Sequence, residues 1–143
     1  MDRFFFEKAL DEARKSADQG EVPIGAVIVK DGVVIAEGHN NRIFSKDPTA
    51  HAEIMAIREA SLKLGDWRLN GCDMYVTLKP CDMCLGVIHE ARLDNVYFLL
   101  DRLSYKKPYY RTNVCMTDDA ENNDLSGDYK DFLSNFFKEN CKR

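Results

Sequence analysis

Apolar residues recur three or four positions apart at the start of the chain, at Phe6, Ala9, Leu10, Ala13 and Ala17, with charges between them. That period marks one face of an amphipathic helix, and Gly20 supplies its stop. The pattern then changes. Ile24-Gly25-Ala26-Val27-Ile28-Val29 is a β-branched run, and the Asp31-Gly32 turn joins it to Val33-Val34-Ile35-Ala36, which predicts a hairpin. Residues 38–48, with Asn40, Asn41 and Asp47-Pro48, read as a loop. A helix is predicted from Thr49 or Ala50 to about Leu64, carrying Ile54, Met55, Ile57, Ala60, Leu62 and Leu64. Beyond a loop at 65–71, Met74-Tyr75-Val76-Thr77-Leu78 reads as a buried strand. Pro80 ends that strand and can open a helix from about Cys81 to His89. Val96-Tyr97-Phe98-Leu99-Leu100 is a fourth strand, and Phe132, Leu133, Phe136 and Phe137 stripe one face of a helix near 129–139. Strands alternating with helices predict an α/β protein with a central sheet covered on both faces.

With 143 residues, the chain is expected to form a single domain with a core large enough to need no disulfide framework. No apolar stretch approaches the roughly 20 residues that span a bilayer. The first residues, Met1-Asp2-Arg3-Phe4-Phe5-Phe6-Glu7, lack the basic-then-apolar layout of a secretion signal, so the expected location is cytoplasmic. A formal charge of −4 means that any nucleic-acid contact must rest on a local basic patch. One segment offers it: Arg102 to Arg111 holds four cations and three tyrosines with no acid. The acids between 118 and 131 read as an exposed loop. His39 and His89 read as surface or packing residues, and Cys72, Cys115 and Cys141 as thiols without a role.

Two short motifs carry the chemistry: Thr49-Ala50-His51-Ala52-Glu53 and Pro80-Cys81-Asp82-Met83-Cys84. Imidazole nitrogen and thiolate sulfur suit zinc, and three such ligands leave one tetrahedral position open, as a catalytic site needs. Both groups fall where a helix begins, so its unpaired N–H groups and dipole favour thiolate. Glu53 lies two residues beyond His51, turned about 200° round a helix, where it can serve the open position as a proton shuttle. A closed structural site would need a fourth ligand, for which Cys72 is the nearest spare candidate. A dithiol redox pair would leave His51-Ala52-Glu53 unexplained.

His-x-Glu followed by Pro-Cys-x-x-Cys is the signature of zinc nucleobase deaminases. With Glu21-Val22-Pro23-Ile24-Gly25-Ala26-Val27, Asp47-Pro48-Thr49, Leu64-Gly65-Asp66-Trp67-Arg68-Leu69 and Tyr75-Val76-Thr77-Leu78-Lys79, the chain resembles bacterial tRNA-specific adenosine deaminases of the cytidine and deoxycytidylate deaminase superfamily. The resemblance covers residues 3 to 98, with Lys79 standing where that family carries Glu, and it leaves 101–143 as a divergent segment ending in a helix. It implies a three-layer α/β/α cytidine-deaminase-like fold with a central mixed sheet. It also implies one zinc per subunit, held by His51, Cys81 and Cys84, with Glu53 as the catalytic proton carrier. Asn40 would bind the substrate, Val22 and Pro80 would shape the pocket, and the Ala52 and Cys84 amides would orient the base. The implied reaction is hydrolytic deamination, with adenosine at the wobble position of a tRNA anticodon as substrate and a homodimer as the assembly. Two alternatives stand beside it: a deaminase of a free nucleobase or nucleoside of the guanine, adenosine or cytosine type, and a non-enzymatic zinc- or thiol-binding module.

Overall fold

A computed structural model describes residues 2–101, 113–116 and 123–140. The elements run α1 (Asp2–Asp18), β1 (Gly25–Lys30), β2 (Val33–His39), α2 (Arg42–Ser45), α3 (Ala52–Leu64), β3 (Cys72–Leu78), α4 (Asp82–Ala91), β4 (Asn95–Leu100), β5 (Asn113–Met116) and α5 (Asn123–Asn140). One five-stranded sheet has the order β2-β1-β3-β4-β5. β1 pairs antiparallel with β2 and β3, whereas β3, β4 and β5 run parallel, so the sheet is mixed. The predicted hairpin is present, and its turn places both Asp31 (φ 51°) and Gly32 (φ 77°) in the left-handed region that two-residue hairpin loops favour.

Helices cover both faces. On one, Phe5 and Phe6 of α1 pack on Tyr75, which stacks on Tyr97. The α5 helix joins the same face: Tyr129 is buried and donates its hydroxyl to the Pro23 carbonyl at 2.8 Å, and Asp124 pairs with Arg3 of α1 at 2.9 Å. On the other face lie α3 and α4, in contact with each other. Two glycines let the layers close. A Cβ on Gly25 would sit 2.0 Å from the Ala9 carbonyl of α1, and one on Gly38 would sit 2.3 Å from the Ala52 carbonyl of α3. The three-layer α/β/α arrangement matches the expected one.

Some elements differ from the sequence reading. Residues 38–48 are not simply a loop, because β2 continues to His39 and α2 forms a single helical turn. That turn rests on a distant group: the buried Glu21 carboxylate accepts from the Ile43 and Phe44 amides at 2.9 and 3.0 Å. Between Leu100 and the C-terminal helix, where the hydrophobic pattern predicts no strand, lies β5, held by pairing along β4 rather than by a pattern of its own. α5 starts at Asn123, so the acids from Asp124 to Asp131 lie on a helix and not in a loop. The Arg102–Arg111 segment lies outside the described residues. Among the described residues, no helix is long and apolar enough to cross a membrane.

Candidate metal centre and active site

The starts of two helices meet on the covered face. His51 is the N-cap of α3 and Cys81 the N-cap of α4, both with extended backbone. Cys84 follows in the first turn of α4 and is buried. His51 thus stands one residue before the helix, not inside its first turn. Its Nδ1 lies 3.7 Å from Cys81 Sγ and 3.4 Å from Cys84 Sγ, and the three donor atoms fall within 4.8 Å of one another. Tetrahedral zinc with Zn–S near 2.3 Å and Zn–N near 2.05 Å has an N···S edge of about 3.6 Å, so these side chains fit that ion. Cys72, the candidate fourth ligand, is not part of the group; its thiol faces the Asn70 carbonyl at 3.9 Å.

Charge at the site is already biased toward a cation. A hydrogen bond from the Cys84 thiol, together with the Cys84 and Met83 amides and the His51 ring, holds the Cys81 thiol at about 5 despite partial burial. The same hydrogen bond, burial and the neighbouring Glu53 carboxylate push the Cys84 thiol well up. Without metal the pair therefore shares one proton, and a metal binding there displaces it. Glu53, in the first turn of α3, is buried and hydrogen-bonds to the Cys84 side chain, which places its carboxylate beside the ligand set.

A cavity of about 390 Å³ opens onto His51 and Cys81. Val22, Ile24, Asn40 and Leu78 line its sheet side, Arg42 its rim, and Leu133 and Phe137 of α5 its roof. Asn40 is buried and fixed from several directions. Its Oδ1 accepts from the Ala52 amide at 3.0 Å, Ser16 donates to its carbonyl at 2.9 Å, and its own N–H reaches the Ile24 carbonyl at 3.2 Å. With Oδ1 so engaged, the amide NH2 is the end left for a ligand, having no partner among the described residues.

Two expected contributors are placed differently. The Ala52 N–H is taken by Asn40, so it positions that side chain and is not free to donate to a base. Pro80 is buried between β3 and α4 and does not line the cavity. The Cys84 amide is directed at Cys81 Sγ. His39 contacts Glu12 at 3.3 Å. Lys79 is buried, 3.7 Å from Asp101 Oδ1 and over the Phe98 ring.

Arg42, Leu133 and Phe137 were not singled out as site residues. The spacing of Leu133 and Phe137, four apart on one helix face, groups them, but only the docking of α5 shows that this face roofs a cavity.

Residues 1–100 match the family model described as the cytidine and deoxycytidylate deaminase zinc-binding region. The tRNA-specific adenosine deaminase of Aquifex aeolicus (strain VF5) is 47% identical over 95 residues, 66% of this chain. The match spans 63% of that relative's own length. A solved structure from work on A-to-I editing by tRNA:A34 deaminases superposes with a TM-score of 0.74 at 40% identity, covering 80% of this chain and 98% of that one. Guanine deaminase from Bacillus subtilis superposes with a TM-score of 0.66 at 32% identity, covering 91% and 94%. The motifs, the ligand geometry and these likenesses agree: the chain belongs to the cytidine and deoxycytidylate deaminase family.

Proposed function

We propose that this protein is a zinc-dependent hydrolytic deaminase that converts adenosine to inosine at the wobble position of a tRNA anticodon. The observation that carries the chemistry is the trio His51, Cys81 and Cys84 with the buried Glu53 carboxylate against it. Those three side chains hold the zinc, and no fourth His, Cys, Asp or Glu joins them among the described residues. Bound zinc supplies the Lewis acidity that activates a water for attack.

The rest is the work of side chains. Glu53 takes a proton from the attacking water and delivers it to the purine nitrogen next to the amine-bearing carbon. It then takes the remaining proton of the added hydroxyl and passes it to the amine, which leaves as ammonia as the C–N bond breaks and the C=O bond forms. The Asn40 NH2 donates to an acceptor on the base or ribose, held in place by the bond between its Oδ1 and the Ala52 amide. Val22, Ile24 and Leu78 supply apolar walls, and Leu133 and Phe137 shield the cavity from water.

The substrate reading rests on the likeness to proteins named tRNA-specific adenosine deaminase and to the tRNA:A34 deaminase structure. A free purine is the second reading, because the Bacillus subtilis guanine deaminase covers more of this chain, 91%. We read the 143 residues as one cytoplasmic deaminase domain that works as a homodimer. Leu62 and Trp67, exposed at the end of α3 and just after it, suit a face buried by a second copy. Incubating the zinc-loaded protein with anticodon stem-loops carrying adenosine at the wobble position, beside free bases and nucleosides, tests the assignment. Inosine in the stem-loop supports it, and turnover of a free purine with none in RNA overturns it.

A further inference from the structure

We propose that α2 is a docking edge for the nucleotides flanking the reacting base, with Arg42 taking a backbone phosphate and Phe44 stacking on a neighbouring base. This inference rests on the reading that the substrate is an RNA loop. Arg42 lines the rim of the cavity, two residues after the buried Asn40. A nucleotide whose base enters the cavity carries its own phosphates past that rim. Arg42 makes no ion pair among the described residues, and Lys46 adds a second exposed cation at the end of the turn.

Beside these cations, Ile43 and Phe44 are 68% and 78% exposed. Such an exposed apolar pair, next in sequence to a residue that lines the cavity, has a use when the ligand extends beyond it, since every base offers a face for stacking. A free base enclosed in the cavity gains nothing from it. The edge is also fixed in advance. Both oxygens of the Glu21 carboxylate hold the Ile43 amide, at 3.1 and 2.9 Å, and one holds the Phe44 amide at 3.0 Å. Glu21 thus turns inward, Asp47 just beyond the turn is taken by Thr49 and Arg58, and α2 with its cap presents Arg42, Ile43, Phe44 and Lys46 to solvent. In a chain with a formal charge of −4, such local complementarity is how a polyanion can be received.

The test uses zinc-loaded protein and a fluorescent anticodon stem-loop with adenosine at the wobble position, with Kd read by anisotropy. Phe44→Ala should raise Kd about fivefold or more, while Phe44→Trp should keep it within about twofold of the parent, because stacking needs a flat ring and not this particular one. Arg42→Gln should shrink the slope of log K against log salt by about 0.7, the share of one single-strand phosphate. Zinc content and Tm of each variant verify the fold.

An unchanged Kd in Phe44→Ala with an unchanged slope in Arg42→Gln overturns the docking edge. So does a fall in the sedimentation mass of RNA-free Phe44→Ala, which would assign this surface to a second copy of the chain. If the parent protein neither binds nor deaminates the stem-loop, the RNA reading fails and takes this one with it. Activity of the parent with indifferent variants removes the docking edge alone.

Discussion

Gly38→Ala should loosen the metal centre from the far side of the helix that carries it. The added Cβ would lie 2.3 Å from the Ala52 carbonyl, 2.5 Å from the Ala56 amide nitrogen and 3.1 Å from Met55 Cβ. Two of these neighbours are α3 backbone, which cannot swing aside, so the helix must retreat by about 1 Å to regain van der Waals contact. Overpacking of this kind costs about 1–3 kcal/mol. At roughly 3–5 °C per kcal/mol in a chain of this size, Tm should fall by about 3 to 15 °C. His51 immediately precedes Ala52, and a displacement of 1 Å is about half a Zn–N bond, so zinc affinity should drop roughly 10–100-fold. Gly25→Ala is the control. Its Cβ would lie 2.0 Å from the Ala9 carbonyl, but α1 carries no ligand, so stability should fall while zinc affinity changes by less than about tenfold. Thermal unfolding and competition with a chromogenic chelator read both quantities. A Gly38→Ala protein with unchanged Tm and affinity, or equal zinc loss in Gly25→Ala, would refute the argument.

Glu53→Gln removes the proton carrier but no ligand, so zinc should stay at one per chain while turnover falls about 10²–10⁴-fold, as measured by metal analysis and inosine formation. Stripping zinc with a chelator should lower Tm, since zinc at 1,000 times its Kd stabilises the folded state by about 4 kcal/mol, and readdition of zinc should restore it. The Arg3–Asp124 pair ties α5, and with it the roof of the cavity, to α1. A hydrogen bond from the Arg3 guanidinium holds the Asp124 carboxyl below its ordinary range. Because the folded value is the lower one, the pair stabilises the fold above the ordinary carboxylate value, and that contribution is lost as pH falls through the lowered value. Asp124→Asn should therefore reduce Tm at pH 7, and the deficit should shrink as pH falls through the lowered value. A deficit that persists at low pH would show that the loss is not ionic.

The ligand set was legible because each half is local: His51 with Glu53 at one helix start, and Cys81 with Cys84 at another, each within a few residues. The β-branched runs and the Asp31-Gly32 turn were legible for the same reason, since pattern and turn chemistry agree. What escaped depends on partners far along the chain. α2 is too short to show a period and exists because Glu21 binds its amides from 22 and 23 residues away. β5 takes its form from its neighbour in the sheet. Ala52 was expected to face the substrate, yet the Asn40 side chain, brought back by β2, occupies its N–H. Pro80 adjoins a ligand in sequence, yet it is buried and does not line the cavity, and no linear pattern separates those two positions.

Zinc K-edge X-ray absorption on the purified zinc protein reaches the heart of the account. It should report two sulfurs near 2.3 Å and one imidazole nitrogen near 2.0 Å, with a single light solvent atom completing the shell, because Cys81, Cys84 and His51 are the only protein donors that converge there among the described residues. A third sulfur, a second imidazole, or protein that takes up no zinc would contradict it.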